Sequence, residues 1–212
     1  MATYPMNLAP MTKLDAVNCL LMSIGQAPVN ALDTPGNKDA AIAQLTLFNA
    51  NRATQSKGYW FNREYSYPLV ADANGNIAVP STTLQLEGAD TKYRVIDRNG
   101  KLYDLDARSY TFPVGTTVMV DLTQFFDFET IPQVARNYIT ALAARIFQTN
   151  TIGSDILYRF GEEQVAEAYT ALTQADTRSK RSNTLRNDPR MIRVVDRYAR
   201  SAAGYGGNIF NR

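Results

Sequence analysis

There is no histidine in this 212-residue chain, and it has a single cysteine. Without an imidazole it lacks the usual general base at neutral pH and the commonest transition-metal ligand. Ser–His and Cys–His nucleophile systems are excluded outright. One thiol can neither pair within the chain nor build a zinc site. Cys19 lies between Asn18 and Leu20 in a helical pattern, where a small buried side chain is expected instead of a reactive thiol. No apolar run approaches the roughly 18 residues of a membrane-spanning helix. The segment Met1–Pro10 has no basic leader followed by an apolar core, so no secretion signal is expected. Phosphate-cradling loops are missing too, since Gly204-Tyr205-Gly206-Gly207 neither follows a strand nor opens a helix. No loop carries alternating acidic ligands around a central glycine, as calcium would need. Neither a cofactor nor a metal is expected.

What is present suits a folded protein, with 45% hydrophobic and 10% aromatic residues. The net charge of +2 hides an asymmetry. From Arg178 to Arg212 nine basic residues face two acids, a balance of +7. The remainder has thirteen basic and eighteen acidic residues, or −5, which suggests a basic arm on a mildly acidic body. Arg181, Arg186, Arg190, Arg193, Arg197, Arg200 and Arg212 carry most of that arm's charge, and four of them, from Arg190 to Arg200, recur at helical spacing. Three readings apply to it: a solvated charge run, a contact with an acidic protein surface through arginine forks, or nucleic-acid binding. Tyr198 and Tyr205 are thin support for the last, because single-strand binders interleave stacking aromatics with cations. A segment of this composition is expected to order on assembly.

Periodicity divides the chain. Thr12 and Asp15 have capping-box spacing, and Leu14, Val17, Leu20, Leu21 and Ile24 then fall on one helical face before Gly25. A second helix is predicted from Lys38 to Lys57, with a stripe of Ala41, Leu45, Phe48 and Arg52 and a stop at Gly58. From Tyr59 the period shortens. Asn74-Gly75 and Asn99-Gly100 are hairpin signals, and Val118–Leu122 reads as a strand. Pro68, Pro80 and Pro113 suit edge strands and loops. Helical spacing returns at Pro132, with Ala135, Tyr138, Ile139, Leu142 and Ile146 on a stripe. Ser154 or Asp155 opens a fourth helix to about Arg181, with a stripe of Leu157, Phe160, Gln164, Ala168 and Leu172. Gly161 inside it predicts a kink or a close helix contact. The expected fold is α+β: a four-helix bundle-like domain (residues 1–58 with 131–181), a β-rich insert (59–130) and an extended basic C-terminal arm (182–212).

Two sets of residues carry candidate chemistry. Tyr59-Trp60-Phe61 is a dense aromatic cluster that reads either as a core junction between bundle and insert or as a subunit contact. Acids pair up at Asp104 with Asp106, at Asp127 with Glu129, and among Glu162, Glu163 and Glu167. Two carboxylates across a cleft can hydrolyse a glycosidic bond, but solvated faces carry such pairs constantly. No catalytic residue is assigned.

Several blocks then carry a family resemblance. They are Ala16-Val17-Asn18, Ser23-Ile24-Gly25 and Pro28-Val29, the helix start Asp39-Ala40-Ala41, and Gln55 to Asn62 (QSKGYWFN). Ile131, Pro132, Arg136, Tyr138, Ile139, Ala144, Arg145 and Phe147 continue the pattern. Together they resemble the tail tubular protein A family of short-tailed, podovirus-type phages. The resemblance implies a structural, non-enzymatic virion protein of the tail, assembled in the bacterial host cytoplasm. It implies a dodecameric ring under the portal protein that continues the channel for double-stranded DNA without binding it specifically. Such a ring holds a nozzle of tail tubular protein B-like subunits, with tail fibres or spikes docked near the junction. In related adaptors the C-terminal segment reaches toward the portal, which makes Arg181, Arg186, Arg190, Arg193, Arg197 and Arg200 candidates for contact with portal or neighbouring subunit. An acidic lumen would let DNA slide, since like charges leave no counterion-release gain, and Glu162, Glu163 and Glu167 are candidates for it. The rivals from other classes are a tail-associated carboxylate-dependent glycan hydrolase and a DNA-binding protein using its basic arm.

Overall fold

The computed structural model describes residues 10–33, 37–90, 92–153 and 155–187. Met1–Leu172 forms one compact unit and Thr173–Arg212 another. The order of elements is α1 (Lys13–Ser23), α2 (Lys38–Gln55), β1 (Arg63–Val70), β2 (Thr83–Gly88), β3 (Val95–Arg98), β4 (Lys101–Asp104), β5 (Thr117–Gln124), α3 (Gln133–Thr151) and α4 (Asp155–Asn187). A single 3-10 turn, Phe128–Thr130, joins β5 to α3. The fold is α+β, with four helices and two small antiparallel sheets among the described residues.

Local chemistry sets the helix ends. The Thr12 N–H donates to Asp15 Oδ2 at 2.9 Å while the Asp15 N–H donates back to Thr12 Oγ1 at 3.1 Å, a complete capping box. Asn37 caps α2 by accepting from the Ala40 N–H at 3.0 Å. Pro132 is the N-cap of α3, where a missing N–H costs nothing.

The helical core draws on α1 through Ala16, Val17, Leu20 and Leu21, and on α3 through Ala135, Tyr138, Ile139, Ala143 and Phe147. The α3 stripe therefore starts as its sequence predicts, but Ile146 is exposed and Phe147 is buried in its place. For α2 the expected face is the wrong one. Ala40, Ala43, Leu47, Ala50 and Thr54 enter the core, whereas Ala41, Leu45, Phe48 and Arg52 point to solvent. Small alanines let α2 lie close to α1 and α3, and the larger apolar residues are left outside. In α4, Val165 and Leu172 are buried and Ala168 is half-buried, while the expected Gln164 is exposed. The side chains of Leu157 and Phe160 lie outside the described residues. A Cβ on Gly161 would sit 3.2 Å from Arg145 Cγ, so this glycine permits the close approach of α4 to α3. The helix itself continues past the expected end near Arg181, to Asn187.

Cys19 is also corrected: it is exposed, on the side of α1 turned away from Val17, Leu20 and Leu21. Partial burial of its sulfur, and then the Asp15 carboxylate one turn back, push its pKa above the ordinary thiol value. That thiol stays protonated at neutral pH and is a poor nucleophile.

The insert has its own core of Leu69, Ile77, Val79, Val95, Leu102, Phe112, Val118, Val120 and Leu122. β5 is the central strand, paired antiparallel with β1 on one side and β2 on the other. Its alternation is strict at first: Val118, Val120 and Leu122 turn inward, while Met119 turns out. Pro68 stands in β1, an edge strand, where its missing N–H breaks no second ladder. Asn99 (φ +58°) and Gly100 (φ +74°) form the tight turn between β3 and β4, a true hairpin. Asn74-Gly75 makes a turn but joins no strand pair. Asp72 Oδ1 accepts from the N–H groups of Asn74 and Asn76, each at 2.8 Å, and the loop pairs with Phe112 instead.

Candidate assembly surface

The aromatic cluster sits where the helical core meets the insert. Tyr59 is buried in the helical core, and Trp60 and Phe61 pack against it half-exposed. The rings of Tyr59 and Phe61 stack with centroids 5.9 Å apart, and Trp60 meets Phe61 edge-on at 5.1 Å.

Beneath this cluster lies a buried amide network that sequence reasoning missed. Asn62 Oδ1 accepts from the Tyr59 N–H, and its Nδ2 donates to the carbonyls of Gln55 and Gln124, all at 2.8 Å. Gln55 Oε1 accepts from the Phe126 N–H, and its Nε2 donates to the Phe126 carbonyl and to Asn51 Oδ1, again at 2.8 Å. Two side chains from the end of α2 and the start of β1 thus satisfy the backbone where β5 leaves the insert. Buried polar groups are costly unless paired, so this network fixes the joint in one geometry. The signal was on the page as the block Gln55 to Asn62, although spacing alone does not say which amides face inward.

Two further polar clamps act alike. Buried Asn18 holds both the N–H and the carbonyl of Val29, at 2.8 and 3.0 Å, and so pins the loop after α1. Arg136, 9% exposed, donates to the carbonyls of Ile131 (2.8 Å), Met11 (2.7 Å) and Glu129. The guanidinium, always charged, thereby gathers three loop carbonyls at the start of α3.

The paired acids are used structurally. Asp104 ends β4, and its Oδ1 accepts from the N–H groups of Asp106 and Ala107 at 2.8 and 3.1 Å. Asp106 therefore lies in a turn and not on a strand face beside it, and its carboxylate meets Arg94 at 3.4 Å. Asp127 pairs with Lys13 Nζ at 2.7 Å, while Glu129 accepts from the Lys13 N–H at 2.9 Å, next to the positive end of α1. Glu162, Glu163 and Glu167 are exposed on α4. Among the described residues no group of acids or thiols could hold a metal ion. No helix among them is long and apolar enough to cross a membrane.

Of the candidate arginines, Arg181 and Arg186 fall within α4. Arg190, Arg193, Arg197 and Arg200 lie outside the described residues.

The feature with the largest consequence is the outer face of α2. Ile42, Leu45 and Phe48 are 51%, 60% and 46% exposed, an apolar stripe left open by the described residues. Phe48 meets Phe125 edge-on at 5.7 Å, and Arg52 lies 5.4 Å over the Phe48 ring. A groove of about 460 Å³ runs beside the stripe, lined by Leu32, Asp33, Leu45, Phe48, Asp127 and Phe128 among others. A helix apolar on two faces needs two partners, and the described residues supply one.

No curated protein sequence matches the chain. The sequence pattern described as "Tube: Tail tubular protein" matches residues 14–182, a span that takes in α1, α2, the whole insert, α3 and most of α4. This chain belongs to the tail tubular protein family, structural proteins of the phage tail and not enzymes.

Proposed function

We propose that the chain is a ring subunit of a short non-contractile tail, an adaptor between portal and nozzle that encloses the channel for genome ejection. The observation that carries this reading is the apolar stripe of α2 that the described residues leave exposed, with Leu45 60% exposed. Membership of the tail tubular family is consistent with that reading, in which copies of the chain stand side by side and cover the stripe. The helical part, residues 1–58 and 131–181, forms the ring wall in this reading, and the β insert, residues 59–130, is carried on it. The arm, residues 182–212, brings Arg186, Arg190, Arg193, Arg197 and Arg200, with Arg181 just before it, to the portal or to a neighbouring subunit. The ring is dodecameric, holds a tail tubular protein B-like nozzle and accepts fibres or spikes nearby, in keeping with the family resemblance. Double-stranded DNA passes through without specific binding. Assembly takes place in the host cytoplasm, and the finished protein resides in the virion tail. The work is geometric, which accords with acids that serve as caps and turn anchors at Glu129 and Asp104.

Native mass measurement of the purified chain, alone and with its portal and nozzle proteins, tests the proposal. A closed ring in the presence of portal is expected. A chain that stays monomeric at high concentration beside both partners would overturn it.

A further inference from the structure

Given that ring, the structure also offers the two faces that meet in it. We infer that the outer stripe of α2 (Ala41, Leu45, Phe48 and Arg52) docks against the outward face of α4 (Glu163, Ala166, Glu167 and Thr170) on a second copy of the chain. This inference rests on the ring reading above and goes on to name its contact.

Charge selects the occupant. The apolar stripe is closed at either end by an exposed cation, Lys38 and Arg52. Neither has a carboxylate partner among the described residues of its own chain. On α4, Glu163 and Glu167 are exposed one turn apart and likewise lack a cationic partner among the described residues. On the same face the helix offers small side chains, Ala166 between the two acids and Thr170 just beyond Glu167, with the Thr170 hydroxyl already turned back to the Ala166 carbonyl at 2.8 Å. A flat surface of small residues bordered by acids is the complement of protruding Leu45 and Phe48 bordered by an arginine.

Direction is the second argument. The inward side of α4 is set by Gly161, Val165 and Leu172, which leaves Glu163 and Glu167 on its far side. Lys57, at the end of α2, lies 5.7 Å over the ring of Tyr169 on α4, so α4 occupies one flank of α2. α2 turns Ala43, Leu47 and Ala50 into the same core as Val165 and Leu172 of α4, so the stripe and the α4 face are two separate outward patches. Two separate patches of one surface can join head to tail from copy to copy, which is how rings close.

Charge reversal with rescue, read by native mass with the portal protein present, tests the contact. Arg52→Glu alone, and Glu163→Arg with Glu167→Arg, are each expected to lower the ring fraction about tenfold or more. Arg52→Glu combined with both glutamate reversals is expected to recover most of it. All these positions are exposed, so each variant should keep the far-UV dichroism and melting temperature of the parent. Leu45→Asp should give a folded chain that does not close into rings. Rings that persist undiminished in the reversal variants, or a combined variant with no recovery, would overturn the contact while leaving the ring itself standing. So would glutamate reversals that leave the ring intact and alter only genome release, since those carboxylates would then line the lumen. A parent chain that forms no ring with portal and nozzle would instead sink the ring reading on which this contact rests.

Discussion

The helical core and the β insert solve the problem of burial differently. The helical core joins segments far apart in the chain, α1 and α2 before the insert and α3 after it. The insert's core comes from one continuous stretch, Leu69 to Leu122. Most of the buried polar side chains, including Asn18, Asn51, Gln55, Asn62, Arg136 and Thr140, belong to the helical half or to the joint, whereas the insert adds Asp104 and Thr123. Strands acquire their registry from the ladder, so the insert needs few such anchors. Helices packed on small residues can slide and rotate, and amides that grip specific carbonyls hold them in place.

That contrast can be broken from either side. The largest effect is expected in the helical core, where Phe147→Ala empties a fully buried ring site and should cost about 3–5 kcal/mol in chemical denaturation. Next comes the joint. Asn62→Ala leaves the Tyr59 N–H without its acceptor and takes a donor from the Gln55 and Gln124 carbonyls, of which Gln55 keeps the Gly58 N–H, at about 1–3 kcal/mol for each group left dry. Because those groups tie α2 to β5, unfolding followed by Trp60 fluorescence and by far-UV dichroism should separate into distinct transitions. Coincident transitions would mean that apolar packing alone couples the two halves.

Smaller effects sharpen the picture within the insert. Gly75 and Gly100 both have positive φ, +77° and +74°. A Cβ at Gly100 meets nothing, so Gly100→Ala should cost only the left-handed strain, about 1–2 kcal/mol. A Cβ at Gly75 would lie 2.5 Å from the Phe112 carbonyl oxygen, a backbone atom, so Gly75→Ala should cost distinctly more in the same assay. Equal losses would show that the Asp72–Asn76 loop yields without effort. The smallest effect is expected at Cys19, where Cys19→Ser should shift stability by no more than about 0.5 kcal/mol. Its raised pKa means less thiolate at pH 8 than a free cysteine has. Alkylation should therefore run slower than with a model thiol and catch up only as pH rises past the elevated value. A faster rate at pH 8 would contradict the partial burial of the sulfur and the placement of Asp15 beside it.

Much of the insert was legible because alternation has a single meaning once a sheet has one buried side. Val118, Val120 and Leu122 follow it, and Asn99-Gly100 fixes a hairpin through φ angles that few residues adopt. The helices were legible in extent through Thr12, Gly58 and Pro132, but not in orientation. In α2 the larger residues Leu45 and Phe48 outweigh the alanines in any reading of hydrophobicity, yet the alanines make the core. Cys19 misled in the same way. The amide network was invisible for another reason: its partners are backbone groups of Gln124 and Phe126, some 60 to 70 residues away from Asn62 and Gln55.

By itself, then, the amino-acid order determined where α1, α2 and α3 begin, that no imidazole is available, and that α2 has an apolar stripe at helical period. Only the tertiary structure decided that this stripe faces away from the chain's own core, and that Gln55, Asn62 and Arg136 are spent on loop backbone. Periodicity reports how residues are distributed around one helix axis; which side meets a neighbour depends on how closely two axes can approach, and that is a property of the packed pair.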